Sequence, residues 1–136
     1  DAVSRAEFWE MLKRLQQKGI TIMVSTPYMD EASLCDRIAL IQKGEILSID
    51  KPDAITRSYG RPLFAIRSDK TYPMIQLLRK QGFTDRLAHF GEYLHLTTHE
   101  GVGEEFIYDF LRAKGFDELE VKPTEATIED VFLALS

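Results

Sequence analysis

Two features of the sequence predict an α/β layer followed by an α+β ferredoxin-like domain. The first is the uninterrupted β-branched and apolar run "ITIMV" at residues 20–24, the mark of a strand buried on both faces of a parallel sheet. The second is an element order of β-α-β-β-α-β from residue 61 onward, the series of the split βαβ fold. The pattern restarts across "SYGRP" at 58–62, which divides the chain into 1–60 and 61–136.

Residues 4–18 read as an amphipathic helix. Phe8, Met11, Leu12 and Leu15 recur at helical spacing, Ser4 and Glu7 have capping-box spacing, and Gly19 stands where helices stop. After the 20–24 strand, "YMDEASLC" is a short helix. "RIALIQ" and "EILSID" are strands joined by Lys43 and Gly44, a two-residue hairpin connection. Pro52 opens a short helix that closes near Gly60. In the second half "PLFAIRS" is a strand, and "YPMIQLLRKQ" a helix ended by Gly82. "DRLAHF" and "EYLHLTT" are strands on either side of Gly91, and "EEFIYDFLRAK" is a helix closed by Gly115. "LEVK" and "TIEDVFLAL" add a last strand and a last helix.

Composition narrows the function classes. A chain of 136 residues buries roughly two-thirds of its unfolded surface, enough for one compact domain or two small ones. The net charge of −5 argues against a nucleic-acid binder, and Arg57, Arg61 and Arg67 form no dense basic stripe. No apolar run approaches the ~18 residues of a membrane span. The single cysteine, Cys35, excludes an internal disulfide and makes the cytoplasm the default compartment. The opening "DAVSRAEFWEML" begins on a helix start without a methionine, which suggests a cut through a larger protein.

The strongest candidate for chemistry is the junction of Val24, Ser25, Thr26 and Pro27. Ligands of open α/β sheets gather beyond the carboxyl ends of strands, and two hydroxyls before a helix N-terminus favour an anion. The alternative is structural: Ser25 and Thr26 cap the helix and Pro27 enters its first turn. Other candidates are weaker. His95 and His99 share a strand face by alternation and His89 lies on the preceding strand, but a metal site wants three or four convergent ligands, so no metal ligand is assigned. Asp30 and Glu31 complement a helix N-terminus, and Asp36 pairs with Arg37 or caps a turn. Cys35 reads as a small buried hydrophobe. Phe106, Phe110 and Leu111 are core.

The stretch "VSTPYMDEASLCDRIALIQKGEI" resembles the segment of ABC transporter ATPase subunits that runs from the switch histidine into the last hairpin of the nucleotide-binding domain. The usual wording there is Ser-Thr-His-Tyr-Met-Asp/Glu-Glu-Ala, then Cys-Asp-Arg-Ile. "DAVSR" resembles the tail of the D-loop, with Asp1 on its aspartate. "EATIEDVFLALS" is similar to the closing phrase of the small C-terminal domain of many bacterial members. The resemblance implies a partial P-loop NTPase layer over 1–60 and an accessory domain over 61–136.

Two departures matter. No GxxxxGK[ST] phosphate loop, Walker B carboxylate pair or LSGGQ-like signature is present. The resemblance places all three upstream of Asp1, so the chain alone is expected to be non-catalytic and to hold neither ATP nor Mg, the cofactors of the parent. Pro27 occupies the switch-histidine position and offers neither a side-chain nor a backbone donor. The alternative is that the Tyr28 hydroxyl substitutes. Ser25 and Thr26 are nucleotide-adjacent by the same resemblance.

The implied function is that of a fragment of an ATPase subunit powering a bacterial exporter. Such a subunit sits peripherally on the cytoplasmic face of the membrane, partnered by permease subunits and a second nucleotide-binding domain, with no nucleic acid. The competing expectation is a non-catalytic regulatory or dimerisation module with a ferredoxin-like ligand-binding half. Phe8, Trp9, Ile20 and Ile22 are expected to expose apolar surface and promote self-association.

Overall fold

The computed structural model describes residues 1–136 and contains two sheets. The chain opens with helix α1 (Ala2–Gln17) and the single turn α2 (Met29–Ala32). Strands β1 (Ile38–Gln42) and β2 (Glu45–Asp50) form an antiparallel hairpin, followed by helix α3 (Pro52–Arg57). Lys43 and Gly44 both take positive φ, 52° and 79°, as the connection of a right-twisted hairpin requires. Glycine adopts that conformation without penalty, and Lys43 accepts it next to Gly44.

The expected strand at 20–24 does not form. No strand of this chain lies beside it, and the residues run without regular pairing from α1 to α2. Met23 is 97% exposed and Ile20 47%. The sequence signal was genuine, because β-branched residues favour extended backbone, but a ladder needs a neighbour to satisfy its N–H and C=O groups.

The second half follows the expected order: β3 (Leu63–Ser68), α4 (Thr71–Arg79), β4 (Thr84–Phe90), β5 (Tyr93–Thr98), α5 (Glu104–Ala113), β6 (Leu119–Pro123). The four strands lie in the order β4-β5-β3-β6, every adjacent pair antiparallel. This mixed α/β arrangement is consistent with a ferredoxin-like domain. One sheet face carries Phe64, Ile66, Leu94, Leu96 and Val121. Met74 and Leu78 of α4, and Ile107 and Leu111 of α5, cover that face. Alternation along each strand delivers these residues to one side, and each such side chain contributes about 1.5–3 kcal/mol of burial.

Helix α6 (Ile128–Leu135) goes elsewhere. Its Ile128 and Val131 join Ile38, Leu40 and Ile55 in a second, separate apolar cluster, with Met29, Ala32, Cys35 and Leu47 at its margin. Thr127 caps α6 and Asp130 returns the bond, completing a capping box. From the same helix Asp130, 3% exposed, reaches the other face of the four-stranded sheet, where His95 Nδ1 lies 2.9 and 3.0 Å from its two oxygens. Burial opposes the Asp130 charge, but the His95 and Thr127 hydrogen bonds outweigh it and hold the carboxyl below its ordinary range. Arg86 Nη1 donates to the Leu133 carbonyl at 3.0 Å, and the Tyr59 and Thr97 hydroxyls are 2.5 Å apart. Polar contacts therefore tie the sheet face opposite α4 and α5 to helix α6, and through Tyr59 to the first half.

Candidate functional site: the junction between α1 and α2

Helix α1 is capped by Asp1, not by Ser4. The Asp1 carboxylate accepts from the Ser4 N–H at 2.9 Å and from the Ser4 hydroxyl at 3.2 Å, so Ser4 is the capped residue and not the cap. Aspartate serves well here because a negative charge also meets the positive end of the helix.

At the other end of the junction Ser25 and Pro27 are exposed and Thr26 is half-buried. The Thr26 hydroxyl accepts from the Tyr28 N–H at 3.1 Å, a local turn that spans Pro27. Pro27 suits this place, since its ring fixes φ and no bond is required from the nitrogen it lacks. It does not enter the first turn of α2: Tyr28 is the residue at the N-cap, without a side-chain cap bond. The expected helix N-terminus is a single turn of four residues.

The side chain that organises the junction is Glu31. It is 8% exposed, unusual for a carboxylate, and donors converge on it from two segments. Arg5 contributes Nη2 at 2.9 Å and Nε at 3.2 Å to Oε1, Thr26 Oγ1 lies 3.4 Å from the same oxygen, and the Trp9 indole N–H donates to Oε2. Arg5 and Trp9 are four residues apart and therefore share one face of α1. The Arg5 guanidinium also lies 4.1 Å from the centre of the Tyr28 ring and 3.5 Å from Asp30. The Trp9 hydrogen bond is the main cause holding the Glu31 carboxyl below its ordinary range; Arg5 assists, against the cost of desolvation. Its own hydrogen bond to Glu31 raises the Arg5 guanidinium.

Glu31 stands in the first turn of α2, as the sequence reading expects, and in addition closes an ionic knot. Its partners are 22 and 26 residues away, a separation that periodicity does not reveal. The one available signal was the Arg5/Trp9 pairing on a single helix face. Trp9 is correspondingly buried, whereas Phe8 and Ile20 are exposed as expected and Ile22 is half-buried. Asp36 receives the Gln16 amide of α1 and pairs with no arginine. Cys35 is half-buried beside the second cluster, and desolvation raises its thiol.

The remaining candidates do not converge. His95 is committed to Asp130, and His99 lies beyond the end of β5, exposed. No group of three or more His, Cys, Asp or Glu side chains is placed to hold a metal. Two open clefts of about 450 and 510 Å³ are lined by residues from 33–63 and 124–128, and neither borders Ser25, Thr26 or Pro27. Chemically the junction offers hydroxyls but no free base, because the Glu31 oxygens are taken by their donors.

No family model matches the chain. Curated proteins do. A 53-residue stretch is 43% identical to the probable multidrug ABC transporter ATP-binding protein YbhF of Escherichia coli K12, covering 39% of this chain and 9% of that protein. Along its full length the chain is 31% identical over 138 residues to the Nod factor export ATP-binding protein I of Rhizobium leguminosarum bv. viciae. It is 29% identical over 140 residues to the protein of the same name from Neorhizobium galegae. This chain is homologous to ABC transporter ATP-binding proteins. It spans 42% and 38% of the two export proteins. No GxxxxGK[ST] phosphate loop occurs among its residues, so the ABC homology is carried by parts other than the phosphate-binding motif. No helix is long and apolar enough to cross a membrane.

Proposed function

We propose that the chain is the D-loop-to-end portion of an ATP-binding subunit that powers a bacterial ABC exporter, with a degenerate switch position at Pro27. The observation that carries this reading is homology over the whole chain to export ATP-binding proteins of which it spans only about two-fifths. On this reading residues 1–60 are the end of a P-loop NTPase layer and 61–136 an accessory domain. Asp1 then stands on the D-loop, and Ser25 and Thr26 lie next to the nucleotide. ATP and Mg are not held by this chain: it lacks the glycine-rich amide cradle and lysine that phosphates require. Its partners are permease subunits and a second nucleotide-binding domain, at the cytoplasmic face of the membrane.

Pro27 decides the quality of the site. A switch residue must present a donor toward the phosphoryl group, and proline has none on its side chain or backbone. Losing one preorganised donor costs about 10²–10³ in rate. The alternative donor, the Tyr28 hydroxyl, belongs to a ring that packs against the Arg5 guanidinium. The test is Pro27→His in the ATP-binding subunit that contains this segment, with the partner site disabled, read as single-turnover hydrolysis. The expected gain is up to ~10²-fold. Equal rates with and without the substitution would sink the weak-site reading. Absence of a phosphate loop upstream of Asp1 in the coding sequence would sink the subunit reading altogether.

A second reading, a regulatory or dimerisation module, draws on the ten-residue core that the four-stranded sheet builds with its own helices. A stable dimer of the 136-residue chain in sedimentation velocity, or a small molecule that raises its Tm, would favour it.

A further inference from the structure

Helix α1 contributes no residue to either apolar cluster. Trp9 is its only buried side chain, and its indole N–H donates to Glu31. Apart from the Gln16–Asp36 bond, the polar contacts of α1 side chains with the rest of the chain all pass through Arg5 and Trp9 to the Glu31 and Asp30 carboxylates. Glu31 also receives the Thr26 hydroxyl, whose oxygen in turn fixes the Tyr28 N–H, and Arg5 lies over the Tyr28 ring. A carboxylate with a forked guanidinium on one oxygen and an indole on the other is fixed in orientation as well as in place.

We propose that Glu31 is a positioning residue that makes α1 and the 25–28 junction move as one body. This rests on the reading of that junction as nucleotide-adjacent and of Asp1, at the head of α1, as part of the same surroundings. A displacement at the Asp1 end is then passed along α1 to Arg5 and Trp9, through Glu31, to Thr26 and Tyr28. The knot is charge-assisted and half-buried, so removing one partner leaves the others poorly matched, and the contributions of Arg5 and Glu31 are not additive.

Hydrogen exchange of the 136-residue chain, without nucleotide, tests the coupling independently of the ATPase reading. The probe is the Tyr28 amide, with β1–β2 amides as the internal control for folding. Glu31→Gln is expected to speed exchange at Tyr28 by about tenfold or more, the scale of a lost charge-assisted hydrogen bond. Arg5→Gln, on a different helix, is expected to do the same, and Arg5→Lys to restore part of the protection. The double variant Arg5→Gln/Glu31→Gln should exchange little faster than either single one. A Tyr28 rate within about twofold of the unmodified chain in Glu31→Gln overturns the proposal, as do strictly additive effects. If a variant also loses β1–β2 protection, Arg5→Lys decides: Tyr28 exchange must rise while hairpin protection is kept. A positive exchange result together with absence of a phosphate loop upstream of Asp1 removes the nucleotide reading and leaves the coupling intact.

Discussion

Glu31 sits in a protein of net charge −5, on a four-residue helix, with two further acidic residues, Asp30 and Asp36, close by in sequence. Its charge is retained because donors meet it. A carboxyl whose folded pKa is depressed contributes stability that is fully present above its unfolded value, near 4.3, and is lost as pH falls through the lower folded value. Acidification below about pH 4 should therefore release α1 before the four-stranded sheet opens. Trp9 is the only tryptophan, so its emission reports that release, while far-UV circular dichroism follows the rest. A red shift of Trp9 emission preceding the main acid transition is expected, and in Glu31→Gln the red-shifted emission should already be present at neutral pH. Coincident transitions in the unmodified chain would contradict this. The sequence showed the residue types of this cluster but not their meeting, because an acid near a helix start reads equally well as a partner for the helix dipole.

At the scale of elements, local chemistry was legible wherever the controlling residues were neighbours. Lys43 and Gly44 specified the hairpin turn, Pro52 the start of α3, and Gly115, with φ of 96°, the end of α5. The misread elements were those whose fate depends on distant partners. The "ITIMV" run has strand character without a strand beside it. Asp1 took the cap expected of Ser4, one turn earlier. Helix α6 was legible as a helix but not as a member of the second cluster. Its Asp130 carries two duties, closing the capping box through Thr127 and pairing with His95 across the sheet. Asp130→Ala removes both and leaves His95 facing an empty acceptor. A loss of about 2–4 kcal/mol, that of a helix cap plus a hydrogen bond to a buried partner, is expected in chemical denaturation. His95→Gln, which keeps a donor, should cost distinctly less. Equal losses in the two variants would place the energy elsewhere.

For the whole molecule, two apolar clusters coexist without merging, one of ten buried residues and one of five. The larger belongs to the sheet and its two helices, all local in sequence between 64 and 121. The smaller is completed from both ends of the chain, with Ile38, Leu40 and Ile55 on one side and Ile128 and Val131 on the other. Removing residues 128–136 should therefore dissolve order around β1, β2 and α3 while leaving the four-stranded sheet folded. Amide exchange resolved by segment checks this. Retained protection in the 38–57 region of the truncated chain would refute it.

That closure has a consequence for how the protein is made. A ribosome delivers the β1–β2 hairpin long before it delivers Ile128 and Val131, and domains ordinarily fold as units in the order of synthesis. Here the earlier segment must wait, its isoleucines uncovered, through the production of an entire intervening sheet. Exposed hydrophobic surface of that kind is where nascent chains associate wrongly. Helix α6 is thus the step that commits the β1–β2 segment to its native form, and arrest of translation just before Ile128 would leave the four-stranded sheet folded and that segment unfinished.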